Sequence, residues 1–275
     1  AASYDSLDWR DVIHREKPRA VFHLGAITDT TVADEPLMIR INTTGFIPLL
    51  EACIHAKTPL VYASSAATYG TPPQARERKP FPVSAAGRPD NVYGFSKWLM
   101  ECEHRRLAAA AGHEPHIVGL RYFNVFGPGE SRKGKMASMI YQLARQLLDG
   151  KRPRLFTDGS QSRDQVFVDD VVDCTIAAAG LAGRNANRLK PGVYNLGSGV
   201  ATSFNQIVEA LRTAMGLSAA DRPTDYFDMP DSIRAFYQDF TQADMSATRD
   251  GLGWEPKWKP ADAIGWYGKW LAGRR

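Results

Sequence analysis

The chain has 275 residues, 44% of them hydrophobic and 23% charged, enough for one large core or for a domain with a smaller lobe. Its net charge is only +4, and the nearest basic block, 76–79 (RERK), is split by Glu77, so the one-sided basic surface of a nucleic-acid binder is excluded. Cys53, Cys102 and Cys174 are widely spaced and read as reduced thiols, with no metal site implied. No apolar run approaches the ~20 residues of a membrane span and the first ten residues are polar, so the expectation is a soluble cytoplasmic protein without a membrane partner.

The elements follow in chain order. Residues 20–24 (AVFHL) form a short apolar run that ends at Gly25 and Ala26, before a Thr-rich turn. A helical stretch with apolar residues three and four apart covers roughly 35–56. A second run, 59–63 (PLVYA), ends in Ser64 and Ser65, a second helix covers 91–112, and a third run is 117–122 (IVGLRY). Strands alternating with helices at intervals of about 30 residues predict βαβ units and a parallel sheet, with ligand groups at the C-terminal strand ends. The fold class expected is therefore α/β, a Rossmann-type parallel sheet.

After Gly127-Pro128-Gly129 the rhythm loosens. The segment 131–135 (SRKGK) reads as polar and flexible, and a helix is expected near 136–149. The expected division is a partial dinucleotide-binding domain over 1–130, rejoined by 166–200. A smaller mixed α/β substrate lobe takes 131–165 and 201–275. Asp169 and Asp170, like Asp5 and Asp8, read as solvated residues or helix caps, and Thr68 and Tyr69 as structural.

The constellation that carries chemistry is Tyr93 with Lys97, which at i and i+4 lie on one helix face. A phenol titrates near ~10, and a nearby ammonium favours the phenolate, so the pair suits removal of a proton from an alcohol. Upstream, 61–70 (VYASSAATYG) ends a strand in hydroxyls, among which Ser65 can orient that alcohol. Downstream, 120–128 (LRYFNVFGP) ends a strand at Asn124.

These three motifs, in this order, resemble the extended short-chain dehydrogenases. Together with 133–138 (KGKMAS) and 239–244 (DFTQAD) they look like the ADP-glycero-manno-heptose 6-epimerases within that class. The resemblance implies a nucleotide-sugar epimerase that transiently oxidises carbon 6 with bound NADP, NAD being the alternative, and serves lipopolysaccharide-core heptose synthesis. It implies a homo-oligomer, with a pentamer among the possible forms. It makes Tyr93 the catalytic base, Lys97 its tuning partner, Ser65 the orienting hydroxyl and Lys133 a second acid/base; a solvated lysine beside Arg132 and Lys135 is the plain alternative for Lys133. Leu24, Gly25, Ala26, Ile27, Thr28, Asn42 and Val125 fall at cofactor positions, which Tyr93, Lys97 and Lys133 share. Asn124, Lys135, Gln142, Phe156, Thr157, Asp158, Gly159, Arg163 and Tyr237, with Ser65, fall at substrate positions. Arg163 is the natural diphosphate clamp, a guanidinium meeting two phosphate oxygens, with an ion pair to Asp164 as the alternative. Lys135 and Gln142 depart from the family pattern, which has a small hydroxyl residue and a histidine there.

The resemblance also implies about 50 further residues ahead of Ala1, carrying the glycine-rich phosphate turn that is not found in this sequence. A protein without that turn is expected to bind NADP weakly, not to turn over, and to expose a sheet edge. Competing readings are a nucleotide-sugar 4-epimerase, a dehydratase, and a non-catalytic binding protein of the same fold. Ala66 and Ala67, where a dehydratase would want acidic residues, count against the second.

Overall fold

The computed structural model describes residues 7–29, 32, 34–181, 189–230 and 237–274. The three apolar runs become parallel strands β1 (Val21–His23), β2 (Leu60–Ser65) and β3 (Ile117–Tyr122). A later strand joins them, and the sheet order is β1-β2-β3 followed by Gly192–Leu196. Within β2 and β3 every residue but the last is buried, as a parallel sheet covered on both faces requires. Alternation sorts the side chains. Leu60, Tyr62 and Ile117 pack with Phe46, Leu49 and Met100 on one face, while Val61, Val118 and Leu120 pack with Cys174 and Leu252 on the other. Gly119 faces Tyr62 in register, and a Cβ there would lie 2.5 Å from the tyrosine oxygen. β1 is an edge of this sheet, with Phe22 and the adjoining Leu24 exposed.

Helices α1 (Trp9–Glu16), α2 (Glu35–Ile39) and α3 (Phe46–Ala56) flank β1, the last two joined by a π-helical turn, Arg40–Thr44. The stretch 35–56 is thus continuous and is long and apolar enough, by length and composition, to cross a membrane. That corrects the sequence expectation that no apolar run approaches the length of a membrane span. Half of the stretch is buried, and its Met38, Phe46, Leu49 and Leu50 are core residues, the pattern of a core helix. A short helix α4 (Pro73–Arg76) precedes the long α5 (Val92–Ala110).

Beyond β3 the chain builds smaller sheets. β4 (Asn124–Phe126) pairs parallel with β6 (Ser162–Phe167), and β6 pairs antiparallel with Ala201–Ser203. β5 (Arg154–Phe156) pairs with Asp225–Phe227. Helices α6 (Met139–Leu148), α8 (Phe204–Met215) and α10 (Pro260–Ala272) enclose a separate core of Ile140, Leu143, Ile207, Leu211 and Ile264.

Two segments sit differently from the expected division. Residues 166 and 167 belong to β6 in the smaller sheet, and only the following α7 (Val168–Ala178) returns to the large one, where Thr175 meets the Tyr122 hydroxyl at 2.9 Å. Conversely α9 (Ser246–Leu252) packs on the large sheet, its Thr248 hydroxyl donating to the Asn195 carbonyl at 2.7 Å. Asp170 is neither solvated nor a cap. Buried in the first turn of α7, it accepts from the backbone of Lys257 and Trp258 and so fastens the C-terminal segment. Asp8 does cap α1, whereas Asp5 lies outside the described residues.

Candidate active site

The Tyr93 helix is placed by its own first turn. Asn91 caps α5 by accepting from the Gly94 backbone at 2.8 Å, which puts Tyr93 in the opening turn. A Cβ on Gly94 would stand 2.4 Å from the Ala67 carbonyl, so glycine lets α5 press against the turn after β2. That turn is held by Ser65, whose hydroxyl accepts from the Ala67 backbone at 3.1 Å, while Thr68 donates to the Ser65 carbonyl at 2.8 Å. The result sets the Tyr93 phenol beside the Ser65 hydroxyl, near enough for the one to act on the other. Burial raises the Tyr93 pKa above its ordinary value, and Ser65 pulls it partly back.

Lys97 lies one turn further on, almost fully buried, and its ammonium donates to the Ala63 carbonyl at 2.7 Å. Burial pushes its pKa down to about 8. Its ammonium is engaged by the β2 backbone, one helical turn from Tyr93. His23, at the end of β1, is held near 4, first by burial and then by the Lys97 charge.

Asn42 is fully buried. Its oxygen accepts from the Ile27 backbone at 2.8 Å, and its amide donates to the Ile27 carbonyl and the Ser96 hydroxyl, both at 3.0 Å. Ser96 in turn donates to the Tyr93 carbonyl at 2.7 Å. Asn42 therefore acts on the 24–28 loop through its backbone, tying it to α5. Leu24 is exposed, and Gly25 has open space where a side chain would stand.

The second half of the site is a cleft of about 730 Å³. Thr28, Asn124, Val125, Lys133, Gln142, Phe156, Arg163 and Tyr237 all line it. Tyr93 and Ser65 are not among its lining residues. The link between the halves is the sheet itself: Ser65 is in register with Tyr122, two residues before Asn124.

The segment that carries Lys133 is ordered by Glu130, a residue the sequence reading passed over. Buried, Glu130 accepts from the Gly127 backbone at 2.9 Å, the Ser138 backbone at 2.6 Å and the Ser138 hydroxyl at 3.0 Å. So 131–135 is not the loose stretch expected but part of a 3-10 turn, Glu130–Met136. Gln142 supports this turn, donating to the Ala137 carbonyl at 2.8 Å. Lys135 does not line the cleft; it pairs with Asp29 at 3.4 Å, an exposed contact on the opposite loop.

Arg163 is nearly buried. Its guanidinium donates to the Ser162 carbonyl at 3.1 Å and sits 5.1 Å from the Tyr237 ring, and burial lowers its pKa. Asp164 points to the other face of β6, accepting from Ser198, Gly199 and Ala243 backbone groups at 2.6–2.9 Å. Burial raises the Asp164 pKa to about 6. Phe156, Phe227 and Tyr237 form an aromatic wall, with Phe227 4.8 Å and Tyr237 5.7 Å from Phe156. Thr157 and Asp158 line a smaller polar pocket of about 290 Å³ that shares Tyr237 with the cleft. Gly159 supplies a left-handed turn (φ 71°) between them, where a Cβ would strike Asn205. Among the described residues no group of three His, Cys, Asp or Glu is placed to hold a metal ion.

A parallel sheet whose β2 ends at Ser65, with Tyr93 and Lys97 on the adjoining helix α5 beside an open loop, defines an enzyme of the short-chain dehydrogenase class. Comparison with known proteins agrees. Residues 3–197 match the NAD dependent epimerase/dehydratase family. An ADP-L-glycero-D-manno-heptose-6-epimerase of Cupriavidus pinatubonensis is 35% identical, over 98% of this chain and 85% of its own length. The crystal structure of the Helicobacter pylori ADP-L-glycero-D-manno-heptose-6-epimerase superposes with a TM-score of 0.79 at 34% identity, covering 97% of this chain and 76% of that one. MoeE5 in complex with UDP-glucose and NAD is similar with a TM-score of 0.79 at 27% identity, covering 99% and 85%. The chain belongs to the NAD dependent epimerase/dehydratase family.

Proposed function

We propose that this protein is an ADP-glycero-manno-heptose 6-epimerase, interconverting the D-glycero and L-glycero forms with NADP, in the cytoplasm and as a homo-oligomer. The observation that carries the reading is the placement of Tyr93 beside Ser65 in the opening turn of α5, with the buried Lys97 one turn behind it. The cofactor fits the residues present: the 24–28 loop is open at Gly25, its backbone is tied by Asn42, and Lys97 offers a buried ammonium at the strand end. A bound nicotinamide would supply the hydride chemistry at carbon 6.

The chain's own residues handle the proton and the orientation. Ser65 holds the reacting hydroxyl, and Tyr93, placed beside Ser65, exchanges the proton. Epimerisation needs the intermediate to be reprotonated with its oxygen pointing elsewhere, and Lys133, on the wall of the cleft beside Asn124, is the second proton site. Arg163 takes the diphosphate and the Phe156–Tyr237 wall the adenosine.

The test is incubation of the purified protein with ADP-D-glycero-D-manno-heptose and NADP, followed by NMR at carbon 6. Appearance of the L-glycero epimer supports the reading. An unchanged heptose, with inversion at carbon 4 or loss of water when UDP-glucose is supplied in its place, would assign the site to another branch of the family.

A further inference from the structure

Strand β6 places residues of one parity on the ligand side. Arg163 and Gln165 line the main cleft, and Gln161, just before the strand, lines the smaller pocket. Successive members of this row stand about 6.6 Å apart, twice the rise per residue of a strand. Gln165 is 2% exposed and Gln161 5%, and in each the side-chain carbonyl oxygen is buried with no hydrogen-bond partner among the described residues. Such an oxygen is costly to leave unmatched unless something else supplies a donor. Gln161 has part of its amide satisfied, donating to the Phe156 carbonyl at 3.2 Å. Gln165 is in register with Asn124, which lines the same cleft two residues beyond the position opposite Ser65.

We propose that Gln165 is a specificity-determining residue whose amide hydrogen-bonds a hydroxyl of the sugar, while Gln161 serves the nucleoside end of the same ligand. This rests on the nucleotide-sugar reading above, with the diphosphate at Arg163. The order along β6 then follows from the strand. Gln165 lies on the Asn124 side of Arg163 and Gln161 on the Thr157–Asp158 side, so sugar and nucleoside extend in opposite directions from the diphosphate. A hydroxyl is a fitting partner because it both donates and accepts, and the terminal torsion of a glutamine is soft enough to present either end of the amide.

The experiment is calorimetric binding of two ligand pairs, ADP-D-glycero-D-manno-heptose with ADP and UDP-glucose with UDP, to the wild-type protein, Gln165→Leu and Gln161→Leu. With the nucleotide sugar that the wild type prefers, Gln165→Leu is expected to weaken binding about 10-fold or more, the loss of one hydrogen bond left unmatched, and to leave the matching diphosphate unchanged. Gln161→Leu is expected to weaken both members of the pair alike. Leucine is apolar and of similar size, so the thermal midpoint should not fall; Gln165→Met repeats the measurement if it does. A preference for the UDP pair would defeat the heptose reading while leaving Gln165 to be judged on UDP-glucose. The proposal is overturned if Gln165→Leu binds the sugar nucleotide as well as wild type or loses both members equally. It is overturned too if neither sugar adds affinity to its diphosphate in the wild type.

Discussion

Glu101 and Arg121 form a two-pronged ion pair beneath the catalytic residues, with contacts of 2.9 and 2.7 Å and both side chains closed to solvent. Glu101 lies one turn past Lys97 on α5, and it also accepts from Ser64, the neighbour of Ser65, at 2.6 Å. The remaining guanidinium donors go to the Tyr69 hydroxyl and the Val83 carbonyl. One buried pair thus fixes the helix that carries Tyr93 against β2, which carries Ser65, and β3, which leads to Asn124.

Removing one partner leaves the other charge buried, so Glu101→Gln should destabilise the fold by about 3–5 kcal/mol. A Glu101→Gln/Arg121→Met double variant should lose less than the two single losses added, because neither buried charge then remains. Urea unfolding measures all four proteins. A loss below about 1 kcal/mol in Glu101→Gln would show that the pair contributes little beyond position.

Tyr93→Phe keeps the ring and removes the proton-exchanging hydroxyl. Turnover should fall about 10²–10⁴-fold with binding of the nucleotide sugar little changed. Lys133→Ala separates the readings within the family. If Lys133 is the second proton site, net epimerisation should fall by a similar factor while the first half-reaction, seen as transient reduced-cofactor absorbance, persists. Unchanged epimerisation would make Lys133 a surface lysine and favour an inversion that needs a single proton site.

Much of the large sheet was legible because its signals are local. Apolar runs of strand length ended in Gly or Ser, and Tyr93 and Lys97 showed their shared face by spacing alone. What was not legible depends on pairings across the fold. Glu101 and Arg121 have no periodic relation that marks them as partners, nor do Asn42 and Ile27. The Ser162–Phe167 strand is polar for most of its length, so no strand was read there, and its pairing with Asn124–Phe126 was not visible in the sequence. Spacing put Lys97 on the Tyr93 face of the helix, but which atom its buried ammonium meets is decided by backbone geometry, here the Ala63 carbonyl. Gln161 and Gln165 could have been found by reading every second residue around Arg163, once that stretch was taken as a strand.

Asn42→Ala removes both bonds to Ile27 and should release the 24–28 loop. The expected outcome is a cofactor affinity about 10-fold weaker with turnover at saturating cofactor largely kept, since Asn42 touches no reacting atom. Titration with NADP followed by fluorescence would measure it. Equal losses in affinity and saturated turnover would mean that the Ser96 link to Tyr93 matters more than the loop.

Acid stability should turn on three buried groups. His23 and His104 are held near 4, mainly by burial, against 6.5 in the unfolded chain. Between those values the unfolded chain takes up protons that the folded one refuses, so stability is lost as pH falls, by about 3 kcal/mol for each histidine. Asp164 runs the other way. Its folded pKa of about 6 lies above the unfolded 3.8, so over nearly the same window the folded chain holds a proton and gains about 3 kcal/mol as pH falls. The net expectation from pH 6.5 to 4 is a loss of about one histidine's worth. In His104→Phe one histidine and Asp164 should nearly cancel, leaving these groups almost no slope. Tyr62, whose hydroxyl meets His104 at 3.1 Å, loses a partner in that variant, which lowers stability at every pH and so leaves the slope alone. Urea midpoints at several pH values between 4 and 7 decide it: a His104→Phe slope as steep as wild type would mean that His104 is not held neutral by the fold.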